Sequence, residues 1–119
     1  AYHFEEVAEM CEALGNQKTA DALIEYKEKL LSLTAAECEL LWKRADKTAL
    51  LDALCDQVVT ATGVAQYAGM NFDGALTEVN ESNWSKFDDN GNPIIDANGK
   101  ILKGPNYFKP ELKKFTGEK

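Results

Sequence analysis

The sequence has little histidine and cysteine. His3 is the only histidine among 119 residues, and the three cysteines, Cys11, Cys38 and Cys55, form no C-x-x-C pair. Zinc sites and nucleophile-histidine triads need these side chains in clusters, so both chemistries are excluded. An odd number of cysteines, each within an apolar helical pattern, predicts no disulfide framework and favours a reducing compartment.

A long apolar run and a basic charge balance are also missing. No apolar stretch approaches the ~20 residues that span a bilayer, and no signal-like segment opens the chain, so the expected location is the cytoplasm without membrane insertion. The formal net charge of -7 argues against non-specific nucleic-acid binding, which needs a basic face. An acidic protein still binds an anionic ligand when metal ions neutralise the charge.

Apolar residues at spacings of three and four predict five helices. We expect them at about residues 4–14, 19–33, 34–45, 47–68 and 73–86, with Thr19 capping the second and a Thr34/Glu37 capping box opening the third. The fourth carries the longest apolar pattern and should be the most buried. The predicted fold is an all-α antiparallel bundle of four to five helices, in a single domain spanning residues 1–119.

The composition changes after residue 87, where the predicted helical core ends. Asn90-Gly91 and Asn98-Gly99 are strong turn signals, and the apolar pairs at 94–95 and 101–102 flank the second, which predicts a small β-hairpin. Pro110 suits the first turn of a short closing helix. Residues 88–119 are therefore expected to form a hairpin and closing tail.

Acidic side chains recur at helical spacing on two of the predicted helices. Glu5 and Glu6 precede Glu9 by four and three residues, and Asp52 precedes Asp56 by four, so each set lies on one helix face. If these helices pack antiparallel, the carboxylates share one cleft, where their repulsion requires a cation. Mg²⁺, or Mn²⁺ in its place, is the expected ion because it takes oxygen ligands and bridges carboxylates to phosphates.

Each of these patterns also has a purely structural interpretation. Glutamate-rich helix faces are usually solvated, and Asp52 would be favoured by the helix dipole if it lies in a first turn. Aromatic residues at helical spacing are more typical of a core than of a base-binding site, which applies to Trp42, Tyr67, Phe72 and Trp84. We therefore retain only Tyr107 as an aromatic candidate.

Four segments together resemble one family. They are residues 5–10 (EEVAEM), 51–59 (LDALCDQVV), 78–87 (EVNESNWSKF) and 96–107 (DANGKILKGPNY). In this order they resemble the signatures of the MazG-like and phosphoribosyl-ATP pyrophosphohydrolase-like superfamily, in its phage and bacterial members. The combination of residues 83–87 with residues 99–107 is the most specific part of the resemblance.

The resemblance implies an all-α, magnesium-dependent hydrolase that cleaves a nucleoside triphosphate between the α and β phosphates, releasing a monophosphate and pyrophosphate. Such proteins usually assemble as homodimers or homotetramers. Glu5 or Glu9 would orient or deprotonate the attacking water. The implied metal ligands are Glu6, Glu9, Asp52 and Asp56, and the implied substrate-binding residues are Asn83, Lys86, Lys103 and Tyr107.

The chain departs from the family pattern in two places. Ala53 stands where many members carry a glutamate, and Asp52 lies one position away as a substitute ligand with a shorter side chain. Residues 19–45 insert about one helix pair between the acidic motifs. These departures leave open a non-catalytic helical interaction module, or a sensor that binds a nucleotide without cleaving it. The preferred base and sugar are also left open.

Overall fold

A computed structural model describes residues 1–118 and shows five α-helices and one 3-10 helix. The fold is all-α, as predicted, and the described residues contain no strand or sheet. The chain forms two compact units, Ala1–Asp46 and Lys47–Lys119. The helices are α1 (Tyr2–Ala13), α2 (Gln17–Leu31), α3 (Ala35–Arg44), α4 (Lys47–Tyr67), α5 (Phe72–Trp84) and the 3-10 helix Lys113–Phe115.

The first unit is built on a helical hairpin of α1 and α2. Ala8 on α1 and Ala20 on α2 are fully buried, since small side chains let two helices approach closely. Near the open end of the hairpin, the rings of Phe4 and Tyr26 pack edge to face with their centroids 5.0 Å apart. These contacts determine which face of α1 packs against α2 within this unit.

Local capping explains where the helices of this unit begin and end. Gly15, at φ 77°, ends α1, and the following N–H of Asn16 donates to the Cys11 carbonyl at 2.8 Å. The Asn16 side chain then accepts from the Thr19 N–H at 3.2 Å. The cap of α2 is therefore Asn16 rather than Thr19, because the helix starts earlier than predicted. The predicted capping box of α3 is confirmed.

The expectation that α4 is the most buried helix is wrong. Ala65 is the one residue of α4 that is buried, and its large apolar side chains are exposed. In the second unit α4 makes little contact with α5. The apolar pattern predicts an apolar surface on α4, but it carries no information about what packs against that surface.

The C-terminal tail packs along α5 through hydrogen bonds to its side chains. The buried Ser82 hydroxyl donates to the Phe108 carbonyl at 2.7 Å, and the Ser85 hydroxyl accepts from the Phe108 N–H at 3.1 Å. Further along, the Glu78 carboxylate accepts from the Glu111 N–H and from the Lys114 ammonium, and these bonds hold the pKa of Glu78 below its usual value. The two serines thus fix the tail beside the end of α5.

The predicted hairpin is reduced to one isolated antiparallel bridge, between Ile95 and Ile101. Its turn is closed by the Asp96 side chain, whose Oδ1 accepts from the N–H groups of Asn98 and Lys100. Backbone bonds from the Leu102 N–H to the Ile94 carbonyl and from the Asp96 N–H to the Lys100 carbonyl also cross the pair. The closing helix is a single 3-10 turn. None of the helices in the described part of the chain has the length and apolar character needed to cross a bilayer.

Candidate functional site

A cavity of about 430 Å³ lies where α5 ends, within the second unit. Positions 80, 83 and 84 fall on one face of α5, positions 86 and 87 follow the end of the helix, and the bridge residue at 101 also lines the cavity. The volume is in the range of small-molecule sites. The lining residues are Asn80, Asn83, Trp84, Lys86, Phe87 and Ile101.

Lys86 is the charged residue of this lining. Its Nζ donates to the Asn83 Oδ1 at 2.9 Å, which fixes the ammonium group against the end of the helix. A lysine ammonium has three N–H donors, and Asn83 accepts from one of them. The arrangement suits an anionic ligand, and it brings together two residues that the sequence predicts to contact phosphates.

Trp84 and Phe87 form the apolar wall of the cavity. Their ring centroids lie 5.1 Å apart with the planes nearly perpendicular, and Trp84 is 69% exposed. The assignment of Trp84 to a core is therefore wrong. A signal was present in the sequence, because Asn80 and Asn83 share the helix face of Trp84, and an amide pair is unusual in a buried stripe. An exposed tryptophan beside a cation is suited to stack on a flat ring.

The segment at 101–107 packs against the end of α5 because Gly104 has no side chain. A Cβ built at position 104 would collide with the backbone carbonyls of Lys86 and Phe87, so the close approach requires glycine. Within this segment the Lys103 ammonium lies 4.9 Å from the centre of the Tyr107 ring, a cation-π contact. Lys103 and Tyr107 therefore contact each other, on the segment that borders the cavity.

The first unit carries the glutamates of α1. The Glu5 carboxylate pairs with the Lys27 ammonium at 2.9 Å, and both side chains are largely buried. Hydrogen bonds to Glu5, and next to Glu28, raise the pKa of Lys27. Glu6 and Glu9 are exposed on α1. Glu5 is therefore held by a cation, whereas Glu6 and Glu9 present their carboxylates to solvent.

The second unit carries Asp52 and Asp56, one turn apart and exposed on α4. In each unit taken by itself, the described residues bring no three acidic, histidine or cysteine side chains together as a metal-binding group. Glu6 with Glu9 in the first unit, and Asp52 with Asp56 in the second, are instead exposed pairs at helical spacing. Such pairs supply the oxygen ligands that Mg²⁺ prefers.

Comparison of the chain with protein-family models, with curated proteins and with solved structures found no match. The chemical character of the cavity is therefore the main guide to function. Its lining combines an aromatic wall, an oriented ammonium and two side-chain amides. A wholly apolar ligand would leave Lys86 and Asn83 without a role.

Proposed function

We propose that this chain is a magnesium-dependent nucleoside triphosphate pyrophosphohydrolase, which cleaves a ribo- or deoxyribonucleoside triphosphate between the α and β phosphates. The cavity at the end of α5 carries the proposal, because it joins an aromatic wall to an oriented lysine. The resemblance of four segments to the MazG-like superfamily supports it further, since the two most specific segments pack against each other at this cavity.

Different residues of the site bind different parts of the nucleotide. Trp84 stacks on the base, a contact worth about 1–3 kcal/mol and tolerant of base identity. Lys86 offsets charge on the triphosphate, and Asn83 keeps the ammonium in place. Lys103 and Tyr107 close the site over the phosphates as a contacting pair. The binding energy thus comes from stacking at one end of the substrate and from charge at the other.

The resemblance makes Glu6 and Glu9 of the first unit, and Asp52 and Asp56 of the second unit, the candidate ligands of Mg²⁺, or of Mn²⁺ in its place. Carboxylate oxygens are the ligand type that this ion prefers, and each pair is exposed within its own unit. When bound, the ion polarises the phosphoryl oxygens and lowers the pKa of a coordinated water. Asp52 takes the place of the glutamate that many relatives of the superfamily carry at the position of Ala53.

Glu9 is our choice for the group that orients the attacking water. The Glu5 carboxylate is already paired with the Lys27 ammonium and largely buried, whereas Glu9 is exposed to solvent. As the water oxygen bonds to the α phosphorus, its proton passes to the glutamate, and the bond from the α phosphorus to the bridging oxygen breaks. Pyrophosphate leaves with the electron pair, and Lys86 offsets its charge.

The test is release of pyrophosphate from a panel of ribo- and deoxyribonucleoside triphosphates, with and without magnesium. We expect metal-dependent release together with the matching monophosphate, which the Glu9→Gln variant loses. Release of inorganic phosphate and a nucleoside diphosphate would show cleavage between the β and γ phosphates, which contradicts the proposed reaction. No release from any triphosphate by folded protein would refute the hydrolase proposal.

A nucleotide-binding module without hydrolysis is the second candidate. The cavity lies within the second unit, and its lining contains no carboxylate, so binding there does not require the acidic residues. Nucleotide affinity without pyrophosphate release would identify this case. For either function we place the protein in the cytoplasm, where magnesium and nucleotides are abundant, and we expect a homodimer or homotetramer.

The Trp84→Ala variant is expected to raise KM for the triphosphate about tenfold while changing kcat little, because stacking is the same in the ground and transition states. The matched control is Trp42→Ala, which removes the other tryptophan, on α3 of the first unit. In the Trp42→Phe protein, Trp84 is the sole tryptophan, so nucleotide binding should quench its fluorescence. An unchanged KM for Trp84→Ala, together with unchanged fluorescence of Trp42→Phe on nucleotide addition, would show that Trp84 does not contact the substrate.

A further inference from the structure

Asn80 lines the cavity at the end of α5 but has no evident role in holding the fold together. It lies inside α5, four residues before Trp84, with which the helix ends. Its side chain is exposed, and among residues 1–118 its amide has no hydrogen-bond partner. Asparagine is a poor residue for a helix interior, because its amide competes for the hydrogen bonds of the backbone. Helix stability therefore does not explain an asparagine at this position.

Asn80 and Trp84 are neighbours on one face of α5. Residues four apart in a helix lie one turn apart on the same face, with their Cβ atoms roughly 5–6 Å from each other. Long side chains of a helix lean towards its N-terminus, which is the direction of Asn80 from Trp84. The amide of Asn80 is therefore placed to reach the edge of a flat ring that stacks on the Trp84 indole within the cavity.

The other polar side chains of the cavity lining act as hydrogen-bond donors. The Lys86 ammonium and the Trp84 indole nitrogen can only donate, and the Asn83 Oδ1 already accepts from Lys86 at 2.9 Å. Within the described residues, Asn80 thus supplies the side-chain acceptor of the lining that is not already engaged. A keto group on a base can bind to any of these donors, whereas an exocyclic amino group needs an acceptor.

We propose that Asn80 is a specificity-determining residue of the nucleotide site, which admits bases with an exocyclic amino group next to an unprotonated ring nitrogen, namely adenine and cytosine. Its Oδ1 accepts from the amino group, and its Nδ2 donates to the ring nitrogen. Asparagine makes bidentate pairs of this kind with adenine in nucleic-acid recognition. The inference rests on the proposed nucleotide site and deepens it by naming the class of base.

The experiment measures binding to the full chain by equilibrium dialysis, in the presence of magnesium. The probes are α,β-methylene triphosphates, which cannot be cleaved at the proposed bond, with adenine, hypoxanthine, cytosine or uracil as the base. Adenine and hypoxanthine differ by an amino or a keto group at one edge, as do cytosine and uracil. In Asn80→Leu we expect the dissociation constant to rise about tenfold or more for adenine and cytosine, and less than about threefold for hypoxanthine and uracil.

Two further variants separate the acceptor from the shape of the side chain. Asn80→Asp keeps the size and the acceptor, so the preference for adenine and cytosine should persist, although the added negative charge weakens binding of every triphosphate. Glu81→Leu is the matched control, because it places a leucine at the next exposed position of α5, outside the cavity lining. It should leave the base preference of the wild type unchanged.

Three results would overturn the inference. They are a wild type that binds none of the four analogues, an Asn80→Leu variant that weakens all four equally or none, and a larger loss for the keto bases than for the amino bases. Pyrophosphate release from natural triphosphates is measured separately. Base-dependent binding without release would refute only the hydrolase proposal, whereas release with an unchanged base preference in Asn80→Leu would refute only the role of Asn80.

Discussion

The Asp56→Asn variant is expected to lose about three orders of magnitude in kcat/KM for the triphosphate. The change removes one proposed metal ligand and its charge while keeping the size of the side chain. A ligand to the catalytic ion supports several kcal/mol of transition-state stabilisation, and about 4 kcal/mol corresponds to that loss. Asp56 is exposed on α4, so the variant should keep the helical content and thermal stability of the wild type.

Asp73→Asn is the matched control, because it removes an exposed carboxylate from a helix of the same unit. It should retain wild-type activity. Asp52→Asn then tests whether this aspartate replaces the missing glutamate, and a loss similar to that of Asp56→Asn would show that it does. An Asp56→Asn enzyme with full magnesium-dependent activity would rule out the proposed carboxylate site.

The Gly104→Ala variant is expected to lower the stability of the second unit by about 3 kcal/mol, with a fall of about 20 °C in its unfolding temperature. The new methyl group would meet the backbone carbonyls of Lys86 and Phe87, which cannot rotate away as a side chain would. The tail segment must then move off α5. Because Ile101 on that segment lines the cavity, nucleotide affinity should fall with stability.

Gly63→Ala provides the control for this prediction. Gly63 lies inside α4, and a Cβ there meets no atom within 4 Å. Alanine should stabilise the helix by roughly 0.5–1 kcal/mol, since glycine is a poor helix former. The two glycine-to-alanine changes are thus expected to act in opposite directions. Thermal unfolding followed by circular dichroism measures both, and equal effects would contradict the packing described at Gly104.

Local features of the fold were accessible from the sequence. The Thr34 capping box and the stop at Gly15 depend on side chains and dihedral angles within a few residues, so the pattern predicts them directly. The prediction of Thr19 as the cap of α2 is wrong, because Asn16 is an equally good capping residue. Only the path of the chain decides between the two residues. The predicted hairpin is present only as one antiparallel bridge, whose turn is also closed by side-chain bonds from Asp96.

Part of the candidate site could also be predicted. Asn83 and Lys86 were selected through the family resemblance, and their hydrogen bond follows from a spacing of three residues near the end of a helix. Trp84 was assigned to a core, since helical spacing alone does not say which side of a helix is covered. The role of Gly104 was not foreseen, because it depends on a close approach between segments far apart in the sequence.

The sequence by itself determined the all-α class, the helix ends that local caps specify and the chemical types of the candidate site residues. Only the tertiary structure decided that Ser82 and Ser85 fix the tail to α5, that Trp84 lines a cavity, and that α4 is exposed. Caps and helical periodicity are set by neighbours within about four residues. Burial and close approach depend on which distant surfaces meet, and no pattern of neighbouring residues encodes that.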